Sequence, residues 1–162
     1  MMVISILGVA LLALLSGLGA TKQDSHDTYM PGAIVTLAVK VEAPDEWALN
    51  PQVPLRIEVD AAALKKANFK VDKASWDFKV AGHDAAYTAE IPIKISPSLA
   101  GDKLEVPLKV NCGICTLDES KCTFVKDDVR VKLNVKSKAQ PGDKNAPAKK
   151  GRLVAQHVLT SP

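Results

Sequence analysis

Apolar and polar residues alternate with period two along most of the chain. Val35, Leu37, Val39 and Val41 alternate with Thr36, Ala38, Lys40 and Glu42. The pattern recurs at Leu55–Val59, Trp76–Val80, Tyr87–Ile95, Leu104–Val110 and Val129–Val135. A period of two sends successive side chains to opposite faces, so each stretch predicts a strand with one face in a core and one in water. Turn chemistry separates the stretches: Pro44-Asp45, Asn50-Pro51, Ala81-Gly82-His83-Asp84, Ser96-Pro97 and Ala100-Gly101-Asp102. Pro107 falls inside one pattern and predicts an edge there, because proline has no N–H for a ladder. Only Ala61–Ala67 has helical character, and it is short. About seven short strands without helical crossovers predict an all-β fold, an immunoglobulin-like antiparallel β-sandwich, over residues 30–136.

The two ends of the chain break this pattern. Residues 1–20 contain an uncharged apolar run from Val3 to Leu15, followed by the small residues Ser16, Gly17, Gly19 and Ala20. That is the layout of a signal peptide cut near residues 19–20, although its start carries no Lys or Arg. The alternative is an uncleaved N-terminal anchor, the one route by which the chain would engage a membrane. Either reading places the remainder in the periplasm or outside the cell. At the other end, Lys136, Lys138, Lys144, Lys149, Lys150 and Arg152 face Asp143 alone, among Pro141, Gly142, Pro147 and Gly151. Residues 137–162 therefore read as a basic, disordered tail. The charges are few and no aromatic residues interleave them, so no nucleic-acid partner is expected.

Composition leaves the picture of one globular domain unchanged: 162 residues, 47% apolar, 24% charged, net charge +3. The cysteines do change it. There are three, and all lie in Asn111-Cys112-Gly113-Ile114-Cys115-Thr116-Leu117-Asp118-Glu119-Ser120-Lys121-Cys122. An odd number in an exported chain leaves at least one thiol outside any internal pairing. The alternating stretches supply a core of their own, so the fold need not depend on a disulfide. Cys112-Gly113-Ile114-Cys115 is a C-x-x-C, but no amphipathic helix follows, which argues against a thioredoxin fold. Three cysteines with His26, His83 or His157 lack metal-motif spacing, so neither a metal nor another cofactor is expected. No nucleophile elbow, phosphate loop or zinc-protease motif is present.

The stretch Ile91-Pro92-Ile93-Lys94-Ile95, Leu99-Ala100-Gly101, Leu104, Val106, Leu108, Cys112 and Cys122, with a further alternating strand after it, resembles the N-terminal periplasmic domain of the DsbD thiol:disulfide interchange proteins. Upstream, Glu46-Trp47-Ala48-Leu49-Asn50-Pro51 resembles a tryptophan-bearing turn of that family. The resemblance covers residues 30–136. It departs from the family in its third cysteine, in the lengthened cysteine spacing, in Ala48, and in Thr123-Phe124-Val125 after the last cysteine.

The resemblance implies a redox module that exchanges electrons with thioredoxin-like proteins or a membrane reductant relay. Cys112, Cys115 and Cys122 are its candidate catalytic residues. Cys122 matches the second family cysteine. Its partner is Cys112 by the strand-end position or Cys115 by the spacing, and the expectation favours Cys112. Lys109 and Lys121 would favour a thiolate there, and Asp118 and Glu119 would oppose it. The family shields its cysteines with an aromatic-bearing loop. Trp76 and Phe78 fall in the corresponding region, but their alternation with charges assigns them to the core, as it does Trp47. His83 reads as a turn residue. The competing reading is a non-catalytic immunoglobulin-like binding or structural domain with one stabilising disulfide.

Overall fold

The computed structural model describes residues 21–23, 28–66, 69–97, 103–136 and 148–160. The segment read as a signal peptide, His26, and residues 137–147 of the expected tail lie outside them. The described chain is mostly strand: β1 (Thr21–Gln23), β2 (Thr28–Glu42), β3 (Trp47–Leu49), β4 (Leu55–Val59), then a short helix α1 (Ala61–Lys66), followed by β5 (Phe69–Lys70), β6 (Ser75–Phe78), β7 (Ala86–Ile95), β8 (Lys103–Thr116), β9 (Cys122–Val135) and β10 (Ala148–Val158). Five of the six alternating stretches lie within one of these strands, and Trp76–Val80 does so as far as Phe78, where β6 ends. Helix α1 starts where Asp60 caps it, accepting from the backbone N–H of Ala62 at 2.9 Å and of Ala63 at 3.0 Å. It buries Leu64 and ends on Lys65 and Lys66, where the helix dipole favours positive charge.

The strands form one curled, mixed sheet. Its main path runs β1-β10-β2-β9-β8-β4-β6, with β7 on β2, β5 on β7 and β3 on β8. Strand β2 holds the two halves together. Thr28 and Tyr29 pair with the end of β9, while Ile34–Glu42 pair with β7 on one side and β10 on the other. Between these two segments Gly32 has φ +81°, a left-handed conformation that glycine adopts without Cβ strain. The inward rows of both halves meet in one core: Val35, Leu37, Val39 and Val41 of β2, Ile91 and Ile93 of β7, Val106, Leu108 and Val110 of β8, and Val129, Val131 and Leu133 of β9.

Two expectations need correction. The sheet is not purely antiparallel, because β10 runs parallel to β2 and the start of β2 runs parallel to the end of β9. Residues 148–158, read as part of a disordered tail, form β10 between β1 and β2. The reason lies in the side chains: Leu153, Ala155, His157 and Leu159 alternate, and all four are buried. This is another half-buried strand, and it occupies the flank of β2 left open by β7. Pro107 also has a local explanation. Strand β4 pairs with β8 only from Leu108 to Asn111, so the flank of Pro107 facing β4 has no ladder to interrupt.

A buried polar cluster fastens β10 to β9. His157 Nε2 lies 2.8 Å from Asp127 Oδ2, with the two side chains 2% and 6% exposed. Thr160 donates its backbone N–H to Oδ2 at 2.9 Å and its hydroxyl to Oδ1 at 2.7 Å. Burial pushes the Asp127 carboxyl up, but the bonds from Thr160 and His157 outweigh it and hold the pKa below the usual carboxylate value. A depressed folded-state pKa means stability that is present above the unfolded value of about 4 and is lost as pH falls through the folded value. His157→Ala takes a hydrogen-bond partner from a buried carboxylate and should destabilise the protein by about 2 kcal/mol in urea unfolding at neutral pH. Asp127→Asn should flatten the loss of stability that the wild type shows below about pH 4.

Candidate functional site

The cysteines lie at the closed end of the β8–β9 hairpin. The ladder runs without a register shift from Lys103↔Asn134 to Cys115↔Cys122. The turn beyond it is held by its own side chains. Asp118 accepts from the Thr116 hydroxyl at 2.5 Å, the Ser120 hydroxyl at 2.8 Å and the Ser120 N–H at 3.1 Å. These bonds, the Thr116 hydroxyl foremost and then Ser120, hold the Asp118 carboxyl down at about 2. Glu119 takes a left-handed conformation (φ 57°) at the bend. Thr116 N–H donates to the carbonyl of Lys121 at 2.9 Å. In an antiparallel ladder hydrogen-bonded and non-hydrogen-bonded pairs alternate, so Cys115↔Cys122 is the closer, non-hydrogen-bonded kind.

Cys115 and Cys122 form a disulfide with their Cα atoms 4.0 Å apart. This corrects the expected pairing of Cys112 with Cys122. Cys112 continues the inward row Val106, Leu108 and Val110, and it is 1% exposed in the core. Cys115 is an odd number of residues away on the same strand, so it projects from the opposite face, as does Cys122 across the ladder. The three cysteines therefore do not converge on one site. Burial, and then the charge of Asp127, push the Cys112 thiol up to about 12. Cys112 is thus a small apolar core residue, inert at neutral pH.

The two bonded cysteines sit in different surroundings. Cys115 is 2% exposed, flanked by β9 on one side and by β3 on the other, where Ala48 stands opposite it. Cys122, on the outer strand of the hairpin, is exposed. Trp47, opposite Thr116, packs against the core from its partly buried position. The loop after β3 closes over the same strand: Asn50 N–H donates to the carbonyl of Gly113 at 2.9 Å. A Cβ on Gly113 would lie 2.9 Å from Val53, so this position requires the bare backbone. Glycine in Cys112-Gly113-Ile114-Cys115 thus serves packing, and the motif lies along a strand.

Other residues singled out in the sequence lie apart from the disulfide or at its rim. Trp76 and Phe78 stand across β4 from Ile57 and Leu55 and pack against the core. His83 reaches the hairpin turn, with Nδ1 3.4 Å from a Glu119 carboxylate oxygen. Leu117 at the tip is 71% exposed and Phe124, two residues past Cys122, is 53% exposed. The His157–Asp127 pair was not singled out by sequence reasoning, although both residues occupy inward positions of otherwise apolar rows. Among the described residues no helix is long and apolar enough to cross a membrane. No protein-family model and no curated protein matches the chain.

The geometry ranks the three thiols by access. After reduction of the disulfide, alkylation with mass mapping of the native protein should label Cys122 first and Cys115 more slowly. Cys112 should react only once the protein is unfolded.

Proposed function

We propose that this chain is an exported thiol–disulfide exchange module whose redox centre is Cys115–Cys122. The observation that carries the reading is the asymmetry of the bond: one exposed sulfur-bearing residue joined to one that is 2% exposed, at the tip of a hairpin. The ladder from Lys103↔Asn134 already fixes that hairpin, and the sequence separation of the cysteines is only 7. A loop this short restricts the unfolded chain by no more than about 2–3 kcal/mol in the chain-entropy model, a modest return in a chain with its own core. The DsbD resemblance supports the same assignment, since Cys115 is the cysteine that fits the family spacing to Cys122. The tryptophan-bearing turn that shares in the resemblance lies in β3, directly beside Cys115.

The chemistry follows from access. A partner thiolate attacks the sulfur of Cys122, forming a mixed disulfide as the Cys115–Cys122 bond breaks and Cys115 leaves as a thiolate. A second thiolate on the partner attacks its own sulfur in the mixed disulfide and releases Cys122 as a thiolate. Both leaving thiolates take up protons. Two electrons and two protons then reside on Cys115 and Cys122, and the partner holds the disulfide. The reverse sequence oxidises this chain and reduces the partner, with the direction set by the two reduction potentials. Cys112 takes no part. The partners belong to the thioredoxin-like or membrane-relay class, the compartment is periplasmic or extracellular, and residues 1–20 direct export. In this reading the curled sheet is an immunoglobulin-like sandwich whose two layers enclose the common core.

The test is the reduction potential of Cys115–Cys122, measured against glutathione and dithiothreitol buffers. The expected value lies between about −180 and −270 mV, the range of exchange proteins. A potential below about −300 mV, together with a lowered melting temperature in Cys122→Ser, supports the structural-disulfide reading instead. In Cys115→Ser, Cys122 should retain a partner whose second cysteine is replaced by serine as a stable mixed disulfide, because neither thiol that would displace it remains.

A further inference from the structure

Three polar residues are buried in the described structure: Asp127, His157 and Asn111. The first two bond to each other. Asn111 is 8% exposed, and among the described residues nothing hydrogen-bonds its side-chain amide. It belongs to the outward row of β8, between Arg56 of β4 and Lys126 of β9 in register. There it lines a groove of about 280 Å³ whose walls are Val53, Pro54, Arg56, Glu58, Phe124 and Lys126. A strand favours β-branched residues at such a position, and here the polar atoms of the amide reach the solvent in the groove. Its amide is open only to what occupies the groove.

We propose that this groove holds an extended, cysteine-bearing polypeptide segment of the redox partner, with the Asn111 amide hydrogen-bonded to one of its peptide groups. The inference rests on the exchange function proposed above and names the form in which its partner docks. An asparagine amide presents both donors and an acceptor, as a peptide group does. A phosphate or carboxylate offers acceptors only and would leave the amide oxygen unmatched. The charges agree. Arg56 is engaged by Asp77, with Nε donating at 2.7 Å, and Glu58 stands on the wall, so the groove is no anion site. Lys126 lies over the Phe124 ring, 5.8 Å from its centroid, giving a half-exposed aromatic wall for an apolar side chain. Cys122, Phe124 and Lys126 share the outer face of β9. Two residues along a strand span about 7 Å, so a segment lying beside Phe124 can carry a cysteine onto Cys122 a few residues further on.

The experiment compares two reductants of the Cys115–Cys122 bond: the blocked peptide acetyl-Ala-Leu-Ala-Cys-Ala-amide and dithiothreitol. Asn111→Val and, separately, Phe124→Ala should each slow the peptide about fivefold while leaving the dithiothreitol rate unchanged. Equal slowing of both reductants, or no slowing of the peptide, overturns the proposal. Glutathione forms a third arm. If it shows the same selective loss as the blocked peptide, the groove serves a small thiol and not an extended segment, which also overturns the proposal. A second measurement needs no thiol. The serine analogue of the peptide should shift the Asn111 side-chain amide resonances of the wild type. That shift in a protein whose disulfide proves inert would sink the exchange function and leave the groove standing. Absence of the shift sinks the groove alone.

Discussion

The uninterrupted register of the β8–β9 ladder is the constraint from which the site follows. Because the ladder runs from Lys103↔Asn134 to Cys115↔Cys122 without a bulge, every residue in it has a fixed face. Even-numbered residues of β8 and odd-numbered residues of β9 enter the core. That parity sends Cys112 inward beside Val110 and leaves Cys115 and Cys122 outward and opposite each other. A single bulge after Asn111 would have reversed the faces of Cys112 and Cys115 and left Cys122 as it is. The glycine between them keeps the strand straight under Val53, which sits where a side chain at position 113 would otherwise project.

This constraint also explains why the fold was more legible than the site. Period-two stretches are a local signal, and each of those read in the sequence meets a strand of the sheet, with only Lys79 and Val80 falling beyond the end of theirs. The pairing of cysteines depends on which face each occupies. The sequence contained that information: the inward row Leu104, Val106, Leu108 and Val110 continues to Cys112, and the row Val129, Val131, Leu133 and Val135, read backwards, puts Cys122 on the outer face. Extending both alternations past the point where they weaken would have separated Cys112 from Cys122. Strand β10 was hidden for a different reason. Its partner β2 lies more than a hundred residues earlier in the chain, and a parallel return after a proline- and glycine-bearing connection leaves no local mark. Its alternation from Leu153 to Leu159 was present, but the basic residues before it drew the reading towards a solvated tail.

Strand β10 shifts the balance of the structure as a whole. Without it Ile34–Glu42 of β2 would pair with β7 alone, and Asp127 would be a buried carboxylate in an otherwise apolar row of β9. With it, His157 and Thr160 satisfy that carboxylate from the far side of the core, and the chain end is tied to the strand that carries Cys122. The hairpin tip is thus supported from three directions: by β3 beside Cys115, by the self-bonded turn around Asp118, and by the Asp127 cluster five residues along β9 from Cys122. A disulfide held in this way, between one exposed and one buried cysteine, is what the proposed exchange calls for, with Cys115 kept in place to close the bond again.

The buried polar residues divide on the same grounds. Asp127 and His157 sit inside the core, where an unpaired charge would be intolerable, and they pair. Asn111 sits under the opposite face, where an aliphatic residue would pack on a three-stranded platform of β4, β8 and β9 at no electrostatic cost. Folding alone gives no reason for an amide there. Around it stand a half-exposed phenylalanine, a lysine over its ring and an arginine held by an aspartate. They occupy the strand face that also presents Cys122. If Cys122 is where electrons cross, the solvent-facing amide of Asn111 marks where the molecule delivering them is held.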